Sequence, residues 1–78
     1  MNAAQCRMAR AALQLGVRDL AGAAHVSPTT VSKLERGEQL HLRTVEAIRT
    51  ALEAAGVVFI EQNGGGPGVR LRKADAPE

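Results

Sequence analysis

Apolar positions in the first 56 residues recur at spacings of three and four, and a glycine or a polar turn breaks the pattern at four places. Residues 3–15 (AAQCRMARAALQL) contain neither Gly nor Pro and set Cys6, Ala9, Arg10 and Leu13 on one stripe, which predicts a first helix. Gly16 interrupts it. VRDLAGAA, residues 17–24, places Leu20, Ala21 and Ala24 at buried-stripe spacing and predicts a second helix of about two turns. His25 and Val26 then lead to Ser27 and Pro28, a good N-cap followed by a residue suited to the first helical position, so a third helix starts there. In it Val31 and Leu34 face inward, while Thr29, Ser32, Lys33 and Arg36 face outward. Gly37 ends it. A polar loop runs to about residue 42 before LRTVEAIRTALEAAG repeats the helical signature, with Leu42, Val45, Ile48 and Leu52 inward and Gly56 as the stop.

After Gly56 the period changes from that of a helix to that of a strand. VVFIEQ is a short apolar run rich in strand formers, NGGGPG is turn material, and VRLR alternates strictly, so a β-hairpin is expected. KADAPE has no apolar anchor and is expected to be disordered. The predicted fold is mainly α: a compact four-helix domain over residues 1–56, a short C-terminal β-hairpin over 57–73, and a tail over 74–78.

Composition narrows this picture. A chain of 78 residues supports one small core, and with Phe59 as its single aromatic that core must be built from aliphatic side chains. The lone Cys6 excludes an internal disulfide or a CxxC metal knuckle, and on an apolar stripe it reads as a small core filler. His25 and His41 have no acidic or cysteine partner at ligand spacing, so neither a metal nor a cofactor is expected. No nucleophile–base pair, carboxylate pair or phosphate loop is present, and the GGG at 64–66 precedes Pro67 as a turn does, so catalysis is not expected. No apolar run approaches 18 residues and no basic-then-apolar leader is found, which predicts a soluble cytoplasmic protein that does not bind membranes. The net charge of +2 is divided unevenly: residues 1–36 hold five Lys/Arg against two Asp/Glu, and residues 37–78 hold five against six.

Two short helices joined by a tight turn, the second capped by Ser and faced with small polar groups, form a helix-turn-helix. Small side chains at 28, 29 and 32 let such a helix approach the floor of the DNA major groove. Lys33 can donate to guanine O6 or N7, and Thr29 and Ser32 can bond base edges or touch a thymine methyl. Ser27 and the amides at the helix start can hold a phosphate, and Arg36 is better placed for the DNA backbone.

With Arg10 and Leu13, "DLAGAA", "VSPTTVSKLERG" and "AIRTAL" in this order, residues 5–56 resemble the Xre family of Cro- and phage-repressor-like helix-turn-helix proteins. The resemblance implies base reading by Pro28, Thr29, Ser32 and Lys33, phosphate contacts at Ser27, Thr30, Arg36 and Arg43, and an interior ion pair between Arg10 and Glu35. Two departures stand out. The Ser-Gln pair with which the family opens its second helix is replaced by Gly16 and Val17, leaving backbone N–H groups for phosphate, with Arg18 able to compensate. The family's turn glycine is replaced by His25, which must take a left-handed conformation at a cost of about 1 kcal/mol.

The function expected is sequence-specific binding of double-stranded DNA by a transcriptional regulator, a repressor acting as a dimer on a palindromic operator. The alternatives are the antitoxin of a toxin–antitoxin pair, with a toxin or co-regulator as protein partner, and a protein-interaction module on the same fold. VVFI is apolar on both faces, Val57 with Phe59 and Val58 with Ile60, and VRLR adds Val69 and Leu71. A lone ribbon is barely stable in water, so pairing with a second copy through these six residues is expected to cover the face that the fourth helix does not; the competing arrangement is a monomer whose ribbon folds back on its own helices.

Overall fold

The computed structural model describes residues 1–61 and 64–72. Four helices are followed by an antiparallel hairpin: α1 (Ala3–Leu13), α2 (Val17–Ala24), α3 (Pro28–Glu35), α4 (Leu42–Ala55), β1 (Val57–Ile60) and β2 (Gly68–Leu71). The tail expected over 74–78, and residue 73 at the end of the expected hairpin, lie outside the described residues.

Local chemistry sets the helix ends. Asn2 caps α1 by accepting the Gln5 N–H at 2.8 Å, and the Gln5 side chain returns the favour by accepting the Asn2 N–H at 2.9 Å. Helix α1 stops at Leu13, two residues short of the expected end, because Gln14 turns left-handed at φ 57°. Leu15 N–H then donates to the Arg10 carbonyl at 2.9 Å and Gln14 N–H to that of Ala11 at 3.2 Å, the paired bonds of a Schellman closure. Helix α2 closes the same way around His25 at φ 59°, with Val26 N–H on the Ala21 carbonyl. Helix α3 closes around Gly37 at φ 87°, with Glu38 N–H on the Lys33 carbonyl. Gly56, at φ 124°, ends α4 and passes the chain directly into β1, a backbone conformation that a side chain would strain.

The core lies where α1, α2 and α4 meet the inner sides of α3 and the hairpin. Leu20, Ile48, Leu52, Val31, Val57 and Cys6 are its largest fully buried members. Leu42 is not among them. It was expected to face inward, yet it is 75% exposed, because it opens the first turn of α4 beyond the edge of the core. Leu40, in the preceding loop, packs against the core instead.

The hairpin pairs Val57 with Leu71, Val58 with Arg70, Phe59 with Val69 and Ile60 with Gly68. It packs on α1 as well as on α4. Val57 and Phe59 are buried in the protomer's own core, and Arg49 of α4 sits over the Phe59 ring at 5.2 Å from its centroid while pairing with Glu53 at 3.1 Å.

Two non-glycine residues therefore hold left-handed conformations that glycine takes without a Cβ clash. Replacing both, Gln14→Gly and His25→Gly, should stabilise the fold by about 1 kcal/mol or more. Thermal unfolding followed by circular dichroism should show a rise of roughly 4–8 °C per kcal/mol. A lower melting temperature would mean that the two side chains contribute more than their backbone strain costs.

Candidate nucleic-acid interface

Helix α3 presents one face to the core and the other to solvent. Val31 and Leu34 are buried, while Pro28, Thr29, Lys33 and Arg36 are exposed and Thr30 and Ser32 are half-buried. The outward side chains are short apart from Lys33 and Arg36. At the amino-terminal end of α3, Ser27 Oγ accepts the Thr30 N–H at 3.1 Å and lies 2.9 Å from the Thr30 hydroxyl, so the two hydroxyls form one polar corner.

That corner borders an open concavity whose other polar walls are Gln39, His41 and Thr44. Sequence reading did not select these three, because they come from the α3–α4 loop and the first turn of α4. His41 occupies the N-cap of α4 without a side-chain bond to the helix, so the helix start is left without a capping group from its own N-cap residue. Arg43 is exposed on the same first turn. At the start of α2, the Gly16 N–H donates to the Asp19 carboxylate at 2.9 Å; Val17 is half-buried and packs on the core, and Arg18 is exposed. Arg36 is forked onto the Glu38 carboxylate, at 2.8 Å and 3.0 Å, where both side chains stand in solvent.

The far end of α3 is held from beneath. Arg10 Nε donates to Glu35 Oε2 at 2.7 Å and Arg10 Nη2 to Glu35 Oε1 at 2.9 Å, a two-pronged pair whose side chains are 23% and 10% exposed. The Cys6 thiol adds a third donor at 3.3 Å, and Arg7 donates to the Glu35 backbone carbonyl. Arg10 also reaches the Leu15 carbonyl at 3.1 Å, fastening the α1–α2 turn to the same group. The Arg10 bond holds the Glu35 carboxyl below the ordinary glutamate range, against the opposing effect of burial. Burial, with the neighbouring Glu35 carboxylate, pushes the Cys6 thiol up to about 12, so the sulfur remains a protonated donor at physiological pH.

A family model described as a helix-turn-helix domain matches residues 3–59, and the chain belongs to that family. The match agrees with the Xre-like resemblance and extends three residues into the hairpin. A search of curated proteins found no match. Among the described residues no helix is long and apolar enough to cross a membrane.

Removing the Glu35 carboxylate strands Arg10 and the Cys6 thiol together. Glu35→Ala should cost about 2–3 kcal/mol, discounted from a fully buried pair for its partial exposure. The melting temperature should fall by on the order of 10–20 °C. Because the folded carboxyl lies lower than in the unfolded chain, its contribution is complete above the ordinary glutamate range and fades as pH falls through the folded value. Thermal melts taken from pH 7 into the acid range should therefore show the gap between wild type and Glu35→Ala narrowing as pH falls below the ordinary glutamate range; a gap that stays constant would remove the ion pair as its cause.

Proposed function

We propose that the chain is a sequence-specific regulator of transcription that places α3 in the major groove of double-stranded DNA. The observation that carries this reading is the division of α3: a Ser-capped helix with Thr29 and Lys33 exposed, backed by buried Val31 and Leu34 and braced by Arg10 on Glu35. Lys33 reads guanine in this arrangement, Thr29 and Ser32 read the neighbouring base edges, and Pro28 lets the helix start approach closely. The Ser27–Thr30 corner, Arg18, the Val17 amide and Arg43 flank α3 and hold phosphates. Arg36 serves the same purpose once it exchanges the Glu38 carboxylate for a phosphate.

The protein acts as a repressor in the cytoplasm, without catalysis, as a homodimer on a palindromic operator. The hairpin supplies the contact between copies. With Val57 and Phe59 committed to the protomer's own core and Val69 packed against it, its outward apolar groups are Val58, Leu71 and, in part, Ile60; Leu71 is 55% exposed. Residues on β2 are the more open of the two strands, so β2 is the edge that a second copy meets. Such a pairing would set the two α3 helices roughly 34 Å apart, one turn of DNA. The same exposed Leu71 between Arg70 and Arg72 also suits an acidic partner chain, which is what the antitoxin reading requires.

Mobility shifts on a preferred site and on random duplex DNA separate the roles. Lys33→Ala should weaken binding to the preferred site by about 1–3 kcal/mol and relax the choice at one base position. Arg36→Ala should weaken binding to every sequence alike and reduce the slope of log K against log salt by about 1. Equal losses on both duplexes for Lys33→Ala would remove it as a base reader.

A further inference from the structure

Gln5 is the single buried polar or charged residue among the described residues, at 4% exposure, and it uses both ends of its carboxamide. Its oxygen accepts the Asn2 N–H. Its nitrogen donates at 3.0 Å to the Ile60 carbonyl of β1 and at 3.0 Å to the Gly68 carbonyl of β2. These two residues face each other across the hairpin at the end nearer its turn. The other end is fixed to α4: Arg72 N–H donates to the Gly56 carbonyl at 2.6 Å, and the Arg72 guanidinium reaches the Glu53 carbonyl at 3.2 Å. Without Gln5 the ribbon would keep Val57, Phe59 and Val69 on the core but lose its polar tie near the turn.

Helix α1 holds both functional elements at once. Gln5 grips the hairpin, and Cys6, Arg7 and Arg10, further along the same helix, grip Glu35 of α3. The polar ties from α1 to both elements start between Gln5 and Arg10.

We propose that Gln5 is a positioning residue for DNA recognition: by clamping both strands to α1 it fixes the hairpin relative to α3, and so the half-site spacing that the dimer accepts. This deepens the dimeric reading above and rests on it. Near its turn the ribbon is otherwise held by apolar contacts, which do not fix a direction as a hydrogen bond does, and a shift in the contact between copies would let the two α3 helices settle at several separations. A clamp at both ends selects one. The hydrogen bonds of Gln5 go to Asn2, Ile60 and Gly68 and not to α3, so its replacement should leave the affinity of a single half-site unchanged.

The informative variant is Gln5→Glu, since a glutamate at the third helical position still accepts the Asn2 N–H but has no N–H groups for the Ile60 and Gly68 carbonyls. Gln5→Leu, which removes the amide without burying a charge, covers the case in which Gln5→Glu fails to fold. The probes are duplexes carrying the half-site selected by the wild-type protein, alone or as inverted pairs with centres 10, 11 or 12 base pairs apart, with sedimentation run in parallel. Wild type should sediment as a dimer and prefer one spacing by tenfold or more. The folded variants should bind the single half-site within about twofold of wild type, and their preference among spacings should shrink to threefold or less. A variant that keeps the full wild-type preference overturns the proposal. A monomeric wild type that still selects a half-site overturns it together with the hairpin dimer, leaving DNA reading by α3 intact. A wild type with no sequence preference overturns the DNA reading itself.

Discussion

One carboxylate organises this domain. Glu35 ends α3 and receives two bonds from Arg10 and one from the Cys6 thiol, all from α1. A helix of 8 residues is too short to hold its own shape or direction in water. Its orientation has to come from tertiary contacts. Val31 and Leu34 bury its inner side but allow it to slide, as apolar contacts do. A planar guanidinium meeting a planar carboxylate at two points fixes both position and rotation. The outward direction of Thr29 and Lys33 follows from that geometry, and so does the connection through α1 to the hairpin.

What could be read from the sequence was what depends on neighbours along the chain. Ser27–Pro28, Gly37 and Gly56 act through their own backbone preferences, and the helix boundaries they imply are found where expected. His25 was legible for the same reason, since a turn that needs a left-handed residue must use whatever stands there. Gln14 was not, because a glutamine after an Ala-rich run gives no sign that the helix should stop; the stop comes from the Leu15 N–H bond to the Arg10 carbonyl and from the grip of Arg10 on Leu15. Leu42 fits the apolar period of α4 but lies one turn past the edge of the core, and periodicity alone does not show where a core ends. Gln5 was the least legible residue. It reads as a polar position on a helix, and its partners lie 55 and 63 residues away.

The candidate interface divides in the same way. The outward face of α3 follows from helical spacing. The polar strip of Gln39, His41 and Thr44 beside Ser27 exists only once the α3–α4 loop has folded back along α3. The loss of a side-chain contact at Gly16 is met in the fold by Asp19, which binds the Gly16 N–H and places an anion at the start of α2. In the DNA-bound arrangement we propose, the phosphate grip comes mainly from Arg18, from Arg43 and from the corner built on Ser27 and Thr30.

Reading of base edges by α3 in the major groove is the property on which the proposed function depends. Selection from a random duplex library at physiological salt, followed by methylation of guanine N7 in the winning site, addresses this directly, since the methyl group lies in that groove and blocks the atom assigned to Lys33. If Lys33 reads guanine there, the enriched motif is a pair of inverted half-sites whose binding is abolished by methylation at one guanine in each half. An unselective pool, or a motif that tolerates N7 methylation at every guanine, would contradict it.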